Sequence, residues 1–296
     1  MSPESAQPDS ARSDTAQPDS AQPDSAQPAS APLAEEAALE LLRHGALELE
    51  GRLLDASNAT LRAVISYDGV VARCVYKPVA GERPLWDFPD GTLAGREYAA
   101  YLVSCATGWG VVPPTVLRDG PMGRGMCQLW IDEDRQDAEP ILGFVPVKRV
   151  PKGWRRVAAA RDERGRPYAL AHADDPRLAR MAVFDAVVNN ADRKGGHVIP
   201  TVDRHVYGVD HGVCFHTEDK LRTVLWGWSD ESMPGECIEQ LERLAVAVEG
   251  TLGARLAEHL TSEEVGVVGM RIHRLLRGRC FPQPPEDWPA IPWPPM

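Results

Sequence analysis

Two aspartates and a histidine stand where a turn in the chain would gather them. Asp192 opens the polar loop Asp192-Arg193-Lys194-Gly195-Gly196-His197, and Asp210 precedes His211-Gly212. Before the loop, Met181, Phe184, Val187 and Val188 recur at helical spacing, and Asn189-Asn190-Ala191 breaks that pattern. After it come two strand-like runs, Val198–Val202 and His205–Val209, with Asp203-Arg204 between them. That spacing predicts a hairpin with a two-residue turn, which returns Asp210 to the neighbourhood of Asp192 and His197. Two carboxylates joined this way, with glycines close by, suit Mg²⁺ and phosphate. One would take the proton of an attacking hydroxyl, and the other would hold a metal bridging phosphates. The phosphoryl-transfer template puts a second metal ligand five positions after its catalytic aspartate, and His197 occupies that position. The alternative is that both aspartates merely cap turns.

These residues resemble a known pattern. Asn190-Ala191-Asp192-Arg193, then Gly-Gly-His-Val-Ile, then Tyr-Gly-Val-Asp210-His211-Gly212-Val-Cys-Phe, is similar to the catalytic loop and metal-binding turn of the phosphatidylinositol 3- and 4-kinase superfamily. Residues 40–280 resemble a bacterial group of phosphatidylinositol kinase-like proteins. The likeness implies a two-lobe α+β protein-kinase-like fold, with an antiparallel β N-lobe over 34–131 and a mainly helical C-lobe over 132–280. It implies ATP and Mg²⁺ as cofactors, and Asp192 and Arg193 as catalytic-loop residues. There Asp192 is base or orienter of the acceptor hydroxyl, while Arg193 holds the loop or screens charge. It also implies Asp210 as metal ligand with His197 as the second. The departure is His197, where the superfamily carries Asn; imidazole is a poor partner for Mg²⁺.

The elements that must position these residues can be followed along the chain. Glu35–His44 predicts a short helix stopped by Gly45. Strand-like runs follow at Ala46–Leu54, Arg62–Tyr67 and Val70–Pro78, with Asp68-Gly69 turning the second into the third. As the resemblance implies, the connection at 55–60 takes the place of the loop over the nucleotide phosphates, with Ser57 and Asn58 among the small polar residues that would offer hydroxyls and backbone N–H groups. Val71, Arg73, Val75 and Lys77 share one strand face, and Lys77 at its end calls for an anionic partner or an outlet to solvent. A helix is expected over Leu93–Cys105, and the resemblance pairs its Glu97 with Lys77. Trp86 and Phe88, in the loop before it, read as covering a core edge. Val111–Leu117 and Gly125–Ile131 are two further strands around a turn at Arg118–Arg124. Gln128, Leu129, Trp130 and Ile131 then line the base pocket, as the resemblance implies.

Between 133 and 175 the chain is polar and dotted with proline, with Val145–Val150 its apolar run and a basic cluster from Lys148 to Arg156. Asp174-Asp175-Pro176 starts the next helix with proline at its first position. Helices are expected over Pro234–Gly250, Leu252–Leu260 and Ser262–Leu276, the last with Glu264 closing a capping box. Residues 281–296 form a Pro-rich tail.

Composition narrows the partners. The chain has 296 residues, 43% hydrophobic, with net charge −11. Residues 1–33 repeat Ala-Gln-Pro-Asp-Ser and set five acids against Arg12, so −7 remains on the rest. An acidic surface argues against nucleic acid or an anionic membrane as the main partner. The repeat segment is too poor in apolar residues to offset the ordering of its backbone, and disorder is expected. No run approaches the roughly 18 apolar residues of a membrane span. Six cysteines without CxxC spacing, and no secretory leader, fit a cytoplasmic protein with reduced thiols. The expected function is an ATP-dependent phosphotransferase acting on a protein hydroxyl, a small metabolite or a lipid. The alternatives are a nucleotide-binding pseudokinase with a regulatory role and a protein AMP-transferase.

Overall fold

Alternation of buried and half-buried residues builds the first lobe. The structure, a computed structural model, describes residues 33–53, 59–132 and 140–296. All but Leu33 of the expected disordered repeat at 1–33, the phosphate-loop residues Ser57 and Asn58, and the acidic stretch following Asp132 lie outside these. Helix α1, Glu35–His44, turns Ala38, Leu41 and Leu42 inward. It covers one face of an antiparallel sheet of β1 (Ala46–Arg52), β2 (Leu61–Tyr67), β3 (Val70–Pro78), β4 (Thr115–Gly120) and β5 (Gly123–Leu129), ordered β1-β2-β3-β5-β4. Ala63, Ile65, Cys74, Val116 and Cys127 meet the helix. Val71, Arg73, Val75 and Lys77 occupy the other, half-buried face of β3. Asp68 and Gly69 both take positive φ, 47° and 78°, as a two-residue hairpin of matching twist requires.

Two strand boundaries differ from expectation. The run expected from Val111 begins at Thr115, because Pro113 and Pro114 have no N–H to give the ladder. The expected turn over Arg118–Arg124 shrinks to two residues, since Gly120 pairs with Gly123. A Cβ at Gly120 would lie 2.8 Å from the Tyr76 ring, so glycine lets the hairpin close over that side chain. Tyr76 in turn donates its hydroxyl to the Gly123 carbonyl.

Helix α2, Leu93–Thr107, starts at Thr92, whose hydroxyl accepts from Gly95 N, and stops at Gly108 in the left-handed region. Glu82 reinforces its start by accepting from Leu93 N and Ala94 N at 2.9 and 2.8 Å. Residues 140–175 are more ordered than their polarity suggested. They form a second antiparallel sheet of β6 (Leu142–Pro146), β7 (Trp154–Arg161) and β8 (Pro167–Ala173), ordered β6-β8-β7. Its buried positions are Ala169, Leu170, Ala171 and His172 of β8, while β6 and β7 bury none fully, so the pattern carries little hydrophobic contrast. Arg155 of the basic cluster is neutralised by Asp174 at 2.8 Å and Glu231 at 2.5 Å.

Helix α3, Pro176–Val188, has Asp175 as its N-cap and proline in its first turn. A short hairpin follows, β9 (Val198–Pro200) and β10 (Val206–Gly208). The expected two-residue turn at Asp203-Arg204 is instead the five-residue connection 201–205. Thr201 N donates to His205 O and Arg204 N to Thr201 O, each at 3.0 Å, with Arg204 at φ 64°. Asp-Arg lacks the glycine of a tight hairpin, so the chain widens the turn. Helices α4 (Gly235–Glu249), α5 (Thr251–Leu256) and α6 (Ser262–Gly278) complete the second lobe around Phe184, Val187, Leu241, Leu244, Leu256 and Ile272. Thr261 and Glu264 form the capping box of α6. Residues 281–296 run back across the lobe. Ala290 O accepts from Thr223 N and Trp226 Nε1, and Pro295 O accepts from Gly195 N at 2.8 Å.

Candidate active site

The loop bearing Asp192 is built from the end of α3. Asn189 closes that helix in the left-handed region, and its side chain bonds the carbonyls of His216 and Glu218 and the N–H of Lys220. Asn190 donates to Asp185 Oδ1 and accepts from Asp192 N at 2.9 Å, which fixes the approach of Asp192. Arg193 is 0% exposed. Its guanidinium grips Asp185 through Nε and Nη2 at 2.9 Å each, and donates from Nη1 to Val209 O at 2.9 Å. Nη2 also meets His211 Nε2 at 2.6 Å, so His211 accepts there and is neutral. Burial, and then Arg193, hold its pKa well below the ordinary value. Arg193, expected in the catalytic set, therefore faces the interior. It braces the loop, the hairpin end and the Asp210 turn together.

Asp210 sits at φ 62°, a conformation aspartate tolerates better than most side chains. From there Oδ1 lies 2.8 Å from Lys77 Nζ, and Lys77 lies 2.5 Å from Glu97 Oε1. Glu97 is buried on α2, and its Oε2 accepts from His211 N at 2.9 Å. Strand β3, helix α2 and the Asp210-His211-Gly212 turn thus meet at one ammonium group. Lys77 holds the Asp210 carboxyl well below the usual range, against the effect of burial. Burial alone would lower the Lys77 pKa, but Asp210 and Glu97 together raise it. Burial raises the Glu97 pKa, and Lys77 and the His211 N–H oppose it.

His197 completes the cluster. Its Nδ1 lies 3.0 Å from the Asp192 carbonyl oxygen and its Nε2 3.5 Å from Asp210 Oδ2. Asp192 is one-quarter exposed and carries Lys194 at 3.0 Å. Asp192 and Asp210 line one cavity of about 220 Å³ with Lys77, Glu97, Glu82 and Gly212. The structure therefore brings Lys77, Glu97, Asp192, His197 and Asp210 together. Lys194, two positions beyond Asp192, was missed; its signal is a cation within one turn of the key acid.

The expected base-pocket residues separate. Gln128 is buried and donates to Thr115 Oγ1 at 2.9 Å. Leu129, Trp130 and Ile131 line a second cavity of about 350 Å³ with Arg73, Val112 and Tyr207, which among the described residues shares no lining residue with the first. A further cavity, about 380 Å³, lies behind α6 among Trp226, Arg271, Leu275 and Phe281. It holds none of the clustered acids, and the chemistry points to the smaller cleft.

No family model matches the chain. Protein Rv2133c of Mycobacterium tuberculosis (strain ATCC 25618 / H37Rv) is 48% identical over 261 residues, 86% of this chain and 94% of that one. The chain belongs to the family of Rv2133c. Among solved structures, the golgi casein kinase matches 83% of this chain and 74% of its own at 11% identity and TM-score 0.48. The Helicobacter pylori proinflammatory kinase CtkA matches 79% and 97%, also at 11% identity, with TM-score 0.40. The two-lobe, kinase-like architecture is carried by the chain's own geometry, in which a β3 lysine pairs with a helix glutamate above a pair of aspartates.

Proposed function

We propose that this member of the Rv2133c family is an ATP- and divalent-cation-dependent phosphotransferase. The observation that carries the reading is the Lys77–Glu97–Asp210 chain closing on the cleft that Asp192 also lines. In this cluster the Lys77 ammonium can meet a phosphate, while the carboxylates of Glu97, Asp210 and Asp192 leave a net negative charge that a divalent cation would balance. Glu97 fixes the Lys77 ammonium, which then clamps a phosphate oxygen. Asp192 accepts a hydrogen bond from the acceptor hydroxyl and takes its proton as the new P–O bond forms and the bond to the leaving nucleoside diphosphate breaks. Lys194 balances the charge on Asp192.

The metal site fits its residues. Oδ1 of Asp210 faces Lys77 and Oδ2 faces His197, while among the described residues no group of three or more His, Cys, Asp or Glu side chains forms a cage. A divalent cation at a kinase site is held by one or two protein groups plus phosphates, which matches that sparse set. Asp210, with His197 beside it, would hold the cation, which would supply neutralisation of the charge that develops on the phosphates. Likeness of the Asp192 loop and the Asp210 turn to phosphoinositide kinases favours a hydroxyl acceptor, on a protein, a small metabolite or a lipid.

Incubation with γ-labelled and α-labelled ATP, comparing the wild type with Asp192→Ala and Asp210→Ala, tests the proposal. Transfer from the γ position alone, lost in both variants, is expected. Label arriving from the α position would mean nucleotidyl transfer. Thermal stabilisation by nucleotide without any label transfer would leave only a binding protein.

A further inference from the structure

The chemistry at His197 distinguishes this metal position from an all-oxygen one. A ring nitrogen 3.0 Å from a backbone carbonyl oxygen is a donor, so Nδ1 carries the proton toward Asp192 O. In that tautomer Nε2 presents a lone pair, and the atom ahead of it is Asp210 Oδ2, at 3.5 Å. The pair is long for a hydrogen bond and is a span that two bonds of about 2.1 Å can bridge. Lys77 occupies Oδ1, so Oδ2 is the oxygen left for a cation. A carbonyl that orients a ligating imidazole through its other nitrogen is the usual support for a metal-binding histidine.

We infer that His197 makes this a mixed nitrogen–oxygen site that selects a first-row transition dication, such as Mn²⁺, over Mg²⁺. Mg²⁺ demands oxygen ligands in near-octahedral array, whereas first-row transition ions accept imidazole beside carboxylate and phosphate. The inference rests on the phosphotransfer reading for the remaining ligands, which the nucleotide phosphates would supply.

The test uses the full chain with Mn²⁺ and a non-hydrolysable ATP analogue. Pulsed electron paramagnetic resonance of bound Mn²⁺ should show a directly coordinated ¹⁴N, absent in His197→Asn. Displacement of Mn²⁺ by Mg²⁺, read from the free-Mn²⁺ signal, should show the preference for Mn²⁺ falling about tenfold in that variant. His197→Gln serves as a second variant, and the wild-type nitrogen signal decides the matter should neither variant fold. Nucleotide-dependent Mn²⁺ binding with no nitrogen coupling would overturn the inference and leave phosphotransfer standing. Failure to bind nucleotide with either metal would overturn both.

Discussion

Arg193 and Asp185 form a two-pronged ion pair in which neither side chain is exposed. Removing one partner strands a charge with no water to receive it. Asp185→Ala should therefore destabilise the protein by about 3–5 kcal/mol, and the loss should appear in urea unfolding. A double replacement with apolar residues of similar volume should recover part of it. Unfolding midpoints equal to wild type in Asp185→Ala would show that the pair does not brace the loop.

Lys77 should matter for transfer more than for folding. Lys77→Met removes the cation aimed at phosphate and leaves Asp210 and Glu97 facing each other. Label transfer should fall about 100-fold or more, in line with loss of a group that stabilises developing charge. Glu97→Gln should act in the same direction with a smaller effect, since Lys77 remains but loses one anchor. Kinetics with saturating nucleotide would separate the two.

Acid should weaken the fold through buried neutral histidines. His172 lies against Trp228, accepts from Gly227 N and holds Ala173 O, and burial lowers its pKa. His211 is shifted the same way. An unfolded chain takes up these protons near pH 6.5, before the folded one does. Stability is thus full above about pH 6.5 and declines as the pH falls toward the lowered folded values. Melting curves across that range should show the decline, and His172→Gln should flatten it.

The capping box of α6 gives a milder prediction. Thr261→Ala removes the hydroxyl that accepts from Glu264 N at 3.2 Å and should cost about 1 kcal/mol. Thr261→Ser should restore most of it. The effect on transfer should be small, because the Thr261 hydroxyl bonds Glu264 and reaches the site only through the Glu264–Arg96 ion pair at 2.6 Å.

The parts of this molecule that could be read from residues alone are those with strong local grammar. Asp175-Pro176, Thr261 with Glu264, and Asp68-Gly69 each form what their types predict, because caps and tight turns depend on a few neighbouring atoms. The convergence of Asp192 and Asp210 was legible from a hairpin, even though the turn proved wider than two residues. The sheet of β6, β7 and β8 was not legible, because β8 buries two alanines and a histidine beside Leu170, while Phe144 and Ala159 stand exposed on its neighbours. Nor could spacing reveal that Arg193 points inward, since a buried arginine is decided by Asp185 one helix turn before the loop, not by its own neighbours.

The last residues bear on how the protein can be handled. Met296 lies against Gly195, where a Cβ would collide with its sulfur, and Pro295 accepts the Gly195 N–H. A reporter or affinity handle appended after Met296 would begin beside the glycines that follow Asp192. It would crowd the very backbone whose behaviour it was meant to record. A small environment-sensitive dye near Met296 would instead serve as a gauge of how firmly the Asp192 loop is held.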